Sequence, residues 1–284
     1  MAGPGPPLLW GGEPAAIGID EAGRGPVLGS MVYAACYAPA ADLERVAGLG
    51  FKDSKDLTEE RRAELRRAVE TDPRLAHAVR SVSARDISAR MLQAEKTSLN
   101  VLAIEATFGV IQDALDAGAK LVEGFVDTLG DPDRHRERLE RKFPGIKFTV
   151  CKKADSLYPI VSAASIVAKT TRDWALRACD PLPEGVPISK EFGSGYPSDP
   201  LCKQWLVQNL DPLFGFPSVV RFSWKPARDL IEERAAVVEF EADLDEEEDK
   251  GQRKLSFGAK PGPPAPRKRH SYFSSRNLKR TRVW

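Results

Sequence analysis

Ala15-Ala16-Ile17-Gly18-Ile19-Asp20-Glu21-Ala22-Gly23-Arg24-Gly25-Pro26 is an apolar strand that ends in two carboxylates and runs into a tight glycine turn. Acidic oxygens at a strand end offer a hard-cation site, and a Gly-Arg-Gly turn lets the backbone come close to a phosphate. Metal and polyanion are suggested together. Side chains alternate faces along a strand, so Asp20 and Glu21 serve one site only if regular strand geometry ends at about Asp20, with Gly23 and Gly25 supplying the break. The plainer alternative is a pair of solvated turn acids beside ordinary turn glycines. No G-x-x-x-x-G-K-[ST] lies between Gly23 and Ser30, which excludes a Walker-type phosphate loop.

Outward from this stretch, Ser30 to Ala38 reads as a second strand and makes a hairpin with the first. Asp56 and Thr58 cap a helix from near Glu59, with Leu65 and Val69 on its apolar face and Arg61, Arg62, Arg66 and Arg67 on the other. Leu75 to Ser83 alternates as a third strand. Ile87 to Ala117 reads as one helix, with Leu99, Leu102, Phe108, Ile111 and Leu115 in its stripe and Gly118 as the stop. A strand from Leu121 to Val126, a charged helix near Asp133 to Lys142 and a strand from Ile146 to Cys151 come next. Ser156 to Ala178 reads as a long helix with Pro159 in its first turn, and its small run Ser162-Ala163-Ala164-Ser165 suits close packing on a sheet. Strands first clustered, then alternating with helices, indicate an α/β fold with a mixed sheet flanked by helices.

After Asp180 come a Pro/Gly loop carrying Gly193-Ser194-Gly195-Tyr196-Pro197, a short helix from Pro200 to Asn209, and a last helix from about Ala227 to Phe240. The expected organisation is a disordered leader over 1–14, one domain over 15–224, a small helical extension over 225–240 and a disordered tail over 241–284.

Composition limits the partners. Among 284 residues, 42% are apolar and 29% charged, enough for one large core. The early apolar run Pro6 to Trp10 is short, rich in Pro and Gly and without a basic flank, so no signal peptide or membrane partner is expected. Cys36, Cys151, Cys179 and Cys202 form no C-x-x-C, which argues against a zinc site or a disulfide framework and for reduced thiols in the nucleocytosol. The net charge is +1, yet seven acids and no base lie between Glu241 and Asp249, and eleven bases and no acid occur from Lys250 onward. The body before Glu241 is therefore near −3. A polyanion there must be met by a local patch and bound cations.

Two further acids stand at strand ends: Asp127 closes Leu121 to Val126, and Asp155 comes just after the strand ending at Cys151. Four carboxylates at the ends of three strands can converge although they are far apart in sequence. Packed together they cannot all ionise unless cations sit among them. Two Mg²⁺ or Mn²⁺ ions about 3.5 to 4 Å apart would satisfy them and clamp both oxygens of an in-line phosphodiester displacement. Hydrolysis of a nucleic-acid strand is the chemistry such a site suits. The alternative is that Asp127 and Asp155 cap the helices next to them.

Ile19 to Pro26, Asp53-Ser54-Lys55-Asp56-Leu57, Phe125-Val126-Asp127, Lys153-Ala154-Asp155-Ser156 and Ala163 to Lys169, in this order, resemble the type 2 ribonuclease H family. The match covers about Ile17 to Trp224 and is most like the family's eukaryotic catalytic subunits. The resemblance implies an RNase H-like fold and endonucleolytic cleavage of RNA in RNA/DNA hybrids and at single ribonucleotides in duplex DNA. It implies that Asp20, Glu21, Asp127 and Asp155 hold two metal ions and that cutting leaves 5′-phosphate and 3′-hydroxyl ends. It also implies that the backbone of Gly23, Arg24 and Gly25 contacts the ribose 2′-OH. By the same resemblance Tyr196 stacks on the neighbouring deoxyribose, Lys55 and Lys169 contact phosphates, and Asn100 reaches the minor groove. His77, His135 and His270 match no catalytic position.

For partners, the resemblance implies a heterotrimer with two accessory subunits, for which Ala235 to Phe240 is a candidate docking helix or else a helix folded back on the body. Pro266-Arg267-Lys268-Arg269-His270 is a candidate nuclear-import or nucleic-acid patch. Ser271-Tyr272-Phe273 departs from a sliding-clamp box at Pro266 and Arg269, so clamp binding is not expected. Two other classes compete: a non-catalytic hybrid-binding protein, opposed by the presence of all four acids, and a metal-dependent phosphotransferase on small nucleotides, opposed by the missing nucleotide loop.

Overall fold

A computed structural model of the chain describes residues 8, 10–51, 57–128, 130–178 and 189–236. Its sheet grows from the first strand, β1 (Pro14–Ala22), which pairs antiparallel with β2 (Met31–Pro39) and parallel with β4 (Lys120–Asp127). Strand β3 (Ala76–Val82) adds antiparallel to β2, and β5 (Lys147–Cys151) adds parallel to β4, giving the order β3-β2-β1-β4-β5. The mixed α/β sheet read from the sequence is therefore present.

Alternation along β1 builds a core on each face. Ile17 and Ile19, with Met31, Tyr33, Ala35 and Tyr37 of β2, pack beneath α3 (Ala84–Leu92), α4 (Leu99–Asp116) and α5 (Pro132–Lys142). Ala16, with Val32, Ala34, Cys36 and Ala38, packs beneath α7 (Pro159–Ala178) and against α1 (Leu43–Gly48) and α2 (Glu59–Thr71). The small run Ser162 to Ser165 is wholly buried in that contact. Gly18 makes the approach closest: an added Cβ would lie 2.5 Å from the Ile160 carbonyl carbon.

A third apolar cluster holds the turn after β1. Val27 and Leu28 pack with Leu176, with Cys202, Trp205 and Leu206 of α8 (Pro200–Gln208), and with Phe216, Val219, Val220 and Ala227, the last on α9 (Lys225–Arg234). Backbone bonds fasten it, from Gly29 N to Val219 O (2.8 Å), Arg221 N to Val27 O (2.9 Å) and Val27 N to Gly195 O (2.9 Å).

Several boundaries differ from the sequence expectation. Residues before 15 are not all leader: Trp10 is 3% exposed, meets the Tyr37 ring edge-on at 6.1 Å, and Leu8 packs on the same core. The single helix over Ile87 to Ala117 is two helices. Ser83 caps α3 and Ser98 caps α4 by accepting from Asp86 N and Val101 N. The intervening Gln93-Ala94-Glu95-Lys96-Thr97 has almost nothing to bury, so the core does not hold it helical. The long helix after β5 is also broken. Pro159 pushes Tyr158 out of the helical region, leaving α6 (Ala154–Leu157) as a separate turn. Helix α9 ends at Arg234, with Ala235 extended and Ala236 N donating to Pro212 O, so a helix continuous to Phe240 is not formed. Residues 1–7, Cys179, the rest of the docking segment and the 241–284 tail lie outside the described residues. Among the described residues no helix is long and apolar enough to cross a membrane, and Cys36, Cys151 and Cys202 are free thiols.

Candidate active site

Strands β1 and β4 run parallel, so their carboxyl ends open on one edge of the sheet, where α/β folds place their sites. A cavity of about 530 Å³ lies there, and Asp20, Glu21, Asp127 and Asp155 all line it. They converge in a way the sequence did not suggest. Strand geometry does not end at Asp20: β1 stays paired with β2 out to Ala22, with Asp20 opposite Ala34 and Glu21 opposite Tyr33. Pairing with β4, however, stops at Ile19 and Val126. Past that point β1 overhangs, and side chains from both of its faces reach the same opening.

Asp20 is 6% exposed on the α7 side, where the Ser165 hydroxyl bonds it and Lys169 Nζ donates to Ser165 Oγ at 3.0 Å. Burial pushes its carboxyl up to about 7; Ser165 opposes the rise and the charge of Asp127 adds to it. Glu21 is on the other face. Burial raises it as well, against the Tyr33 hydrogen bond and the Arg24 guanidinium at 3.7 Å. The Tyr33 hydroxyl donates to Glu21 Oε2, whereas Glu21 Oε1 is buried without a hydrogen-bond partner.

The capping alternative fails for Asp127, because Asp131 caps α5 by accepting from Asp133 N and Arg134 N. Asp127 Oδ1 instead accepts from Ala154 N at 2.9 Å, at the start of α6 just after the neighbouring strand β5. Asp155, 4% exposed, sits inside the first turn of α6, whose N-cap position is Lys153. Among the described residues no three acids stand in chelating geometry around one point. The donors nonetheless suit a hard divalent cation: all are carboxylate oxygens, two acids are held above their ordinary range by burial, and one buried oxygen lacks any partner.

The Gly-Arg-Gly turn forms a second wall. Gly23 has φ +79°, and a Cβ there would meet Ser30 O at 2.5 Å, so only glycine fits. Tyr196, 43% exposed, lies against Gly25, its Cε1 3.3 Å from where a Cβ would be. Arg24 donates to Asn100 Oδ1 and, at 3.4 Å, to the Tyr33 hydroxyl. Arg221, wholly buried, reaches under the turn. Its guanidinium donates to the carbonyls of Gly23, Arg24 and Gly29 and lies 4.7 Å from the centre of the Trp224 ring. Burial pulls Arg221 down to about 9, which leaves it a cation at neutral pH. Trp224 Nε1 completes the support by donating to Gly25 O at 3.0 Å.

Of the residues singled out from sequence, the four acids, Gly23, Arg24, Gly25, Lys169 and Tyr196 line the cavity. Asn100 does not; it is tied to Arg24 from the first turn of α4. Lys55 lies outside the described residues. Tyr33, Ser165 and Arg221 were missed, as were Arg62 and Arg172, which line the cavity, Arg172 paired there with Asp173 at 3.0 Å. Strand register signals Tyr33, directly across from Glu21; nothing local signals Arg221.

Four acids gathered at the carboxyl ends of parallel strands, in a cavity that Arg24, Arg62, Lys169 and Arg172 also line and beside an open backbone turn, define a nuclease of the carboxylate class. The sequence model of Ribonuclease HII matches residues 17–227, and the chain belongs to that family. The A subunit of ribonuclease H2 from Arabidopsis thaliana is 49% identical over 257 residues, 88% of this chain and 86% of that protein. The Homo sapiens protein of the same name is 43% identical over 274 residues, 96% and 91% of the two chains. Among solved structures, ribonuclease H2 from Pyrococcus horikoshii OT3 superposes with a TM-score of 0.65 and 33% identity, covering 77% of this chain and 98% of that one. The chain is thus a metal-dependent ribonuclease, a hydrolase with ribonuclease H activity on RNA/DNA hybrids.

Proposed function

We propose that the chain is the catalytic component of an endoribonuclease that cuts the RNA strand of RNA/DNA hybrids and nicks 5′ of single ribonucleotides in duplex DNA. The observation that carries this reading is one cavity lined at once by four acids, the Gly-Arg-Gly turn and Tyr196. Asp20, Glu21, Asp127 and Asp155 would hold two Mg²⁺ or Mn²⁺ ions. Bound there, such ions supply an activated water and charge stabilisation at the leaving 3′ oxygen.

The chain's own groups do the selecting. Arg221 and Trp224 fix the carbonyls of the turn, so the backbone from Gly23 to Gly25 offers its polar groups to a 2′-OH in a set geometry. Tyr196, packed on Gly25 and open to solvent on its other side, stacks on the sugar of the next nucleotide. Lys169, Arg62 and Arg172 counter backbone phosphates. Cutting leaves 5′-phosphate and 3′-hydroxyl ends.

Relatives whose names mark them as one subunit of ribonuclease H2 support a role within a complex. The expectation is two accessory subunits and a nuclear location, in line with the basic Pro266 to His270 segment. The test is incubation of the chain, alone and with accessory subunits, with Mg²⁺ and a duplex bearing one ribonucleotide. A nick 5′ to the ribonucleotide is expected, lost in Asp20→Asn and Asp127→Asn while duplex binding persists. Undiminished cutting by either variant would remove that residue from the site.

A further inference from the structure

Lys153 is the one non-glycine residue with positive φ among those described, at φ 59° and ψ 38°. That left-handed conformation crowds the Cβ of an L residue against its own backbone, and it persists only where the surroundings impose it. The surroundings here are the active site. Lys153 joins the end of β5 to α6, and the next two residues both belong to the site: Ala154 N donates to Asp127 Oδ1 at 2.9 Å, and Asp155 lines the cavity.

The side chain of Lys153 takes no part in this. It is exposed, makes no capping bond to α6 and does not line the cavity. The segment after it is locked. Ser156 N donates to Lys153 O at 3.1 Å, the Ser162 hydroxyl donates to Asp155 O, and Tyr158 stacks on Phe125 of β4 with centroids 4.5 Å apart. The turn is clamped from α7 and from β4, so the strain at Lys153 falls where the chain must reverse to bring Ala154 N onto Asp127.

We propose that Lys153 is a positioning residue whose contribution is its backbone. Its left-handed turn holds Asp127 and Asp155 in one geometry through the Ala154 amide, and its ammonium is dispensable. The inference rests on the reading of Asp127 and Asp155 as cation ligands. Residues that take positive φ readily should substitute for it, and β-branched residues should not.

The test is steady-state cleavage by the full chain, in its complex where that is needed for turnover, with Lys153→Gly, Lys153→Asn, Lys153→Ala and Lys153→Val. Gly and Asn should cut at close to the parent rate, whereas Val should lose roughly a hundredfold in kcat with KM for the duplex little changed. Amide exchange at Ala154 should quicken in the Val variant and not in the Gly variant. If the Val variant does not fold, Gly is compared with Ala, since both lack the ammonium and differ in the cost of positive φ. Gly must then cut faster than Ala. Equal rates for Gly and Ala, or equal losses in Gly and Val, would overturn the proposal. Asp127→Asn and Asp155→Asn are run beside them: if these cut normally, it is the reading of the site that fails, not the role of the turn alone.

Discussion

The Tyr33 hydroxyl donates to Glu21 Oε2 while Glu21 Oε1 stays buried, so in a residue that lines the cavity one oxygen is held by a strand neighbour and the other has no hydrogen-bond partner. Partners that orient a ligating carboxylate set its affinity for the ion. Tyr33→Phe should therefore raise the Mg²⁺ concentration for half-maximal cleavage roughly tenfold, with KM for the duplex little changed. A titration at fixed substrate reads this directly, and an unaltered Mg²⁺ requirement would count against the role of Tyr33.

Asp20 gives a pH signature to the cation-free protein. Unfolded, it loses its proton near 3.8; buried, it keeps it to about 7. Between these values the folded chain holds a proton that the unfolded chain has lost, so stability falls as pH rises through that window and levels above it. Glu21 is shifted in the same direction. Melting curves from pH 4 to 8 in chelator should show this slope for the parent chain and a flatter one for Asp20→Asn.

Arg221 should matter both for stability and for substrate choice. Its replacement by Gln strands three carbonyls of the turn after β1 and costs roughly 3 kcal/mol. Calorimetry should show the lower Tm. At a temperature where the variant is folded, binding should weaken more for a ribonucleotide-containing duplex than for plain DNA, because the turn proposed to meet the 2′-OH has lost its support. Equal weakening on both duplexes would confine Arg221 to stability.

Gly18→Ala tests the seating of α7. A methyl 2.5 Å from the Ile160 carbonyl carbon cannot be housed without moving the helix off β1. Overpacking of this kind costs about 1 to 3 kcal/mol. Ser165 and Lys169 move with the helix, so cleavage should fall along with Tm.

Trp10→Ala should cost about 3 to 5 kcal/mol, as large aromatic truncations in cores do. Urea denaturation measures it. A change within error would mean that Trp10 adds nothing to the core it touches.

Much of this protein was legible in its sequence. Asp20, Glu21, Asp127 and Asp155 stand out by their places at or just after strand ends, and the α/β class by strands first clustered and then alternating with helices. These are local patterns, and local patterns survive in one dimension. The expectation of one helix over Ile87 to Ala117 fails at Gln93 to Thr97, because its apolar stripe begins only at Leu99 and the polar segment before it gives the core nothing to hold. The Pro and Gly around Trp10 suggest a leader, and only its fit against Tyr37 makes it core.

The sequence by itself determined which acids this chain carries to the end of its strands and which family it belongs to. Tertiary structure alone decided how Asp20 and Glu21, on opposite faces of β1, open into one cavity, and that Ser165, Tyr33 and Arg221 hold the groups around it. The reason is physical. Convergence depends on the pairing of β1 with β4 stopping at Ile19 and on α7 settling against Gly18, and such distances are fixed by packing between segments far apart in the chain.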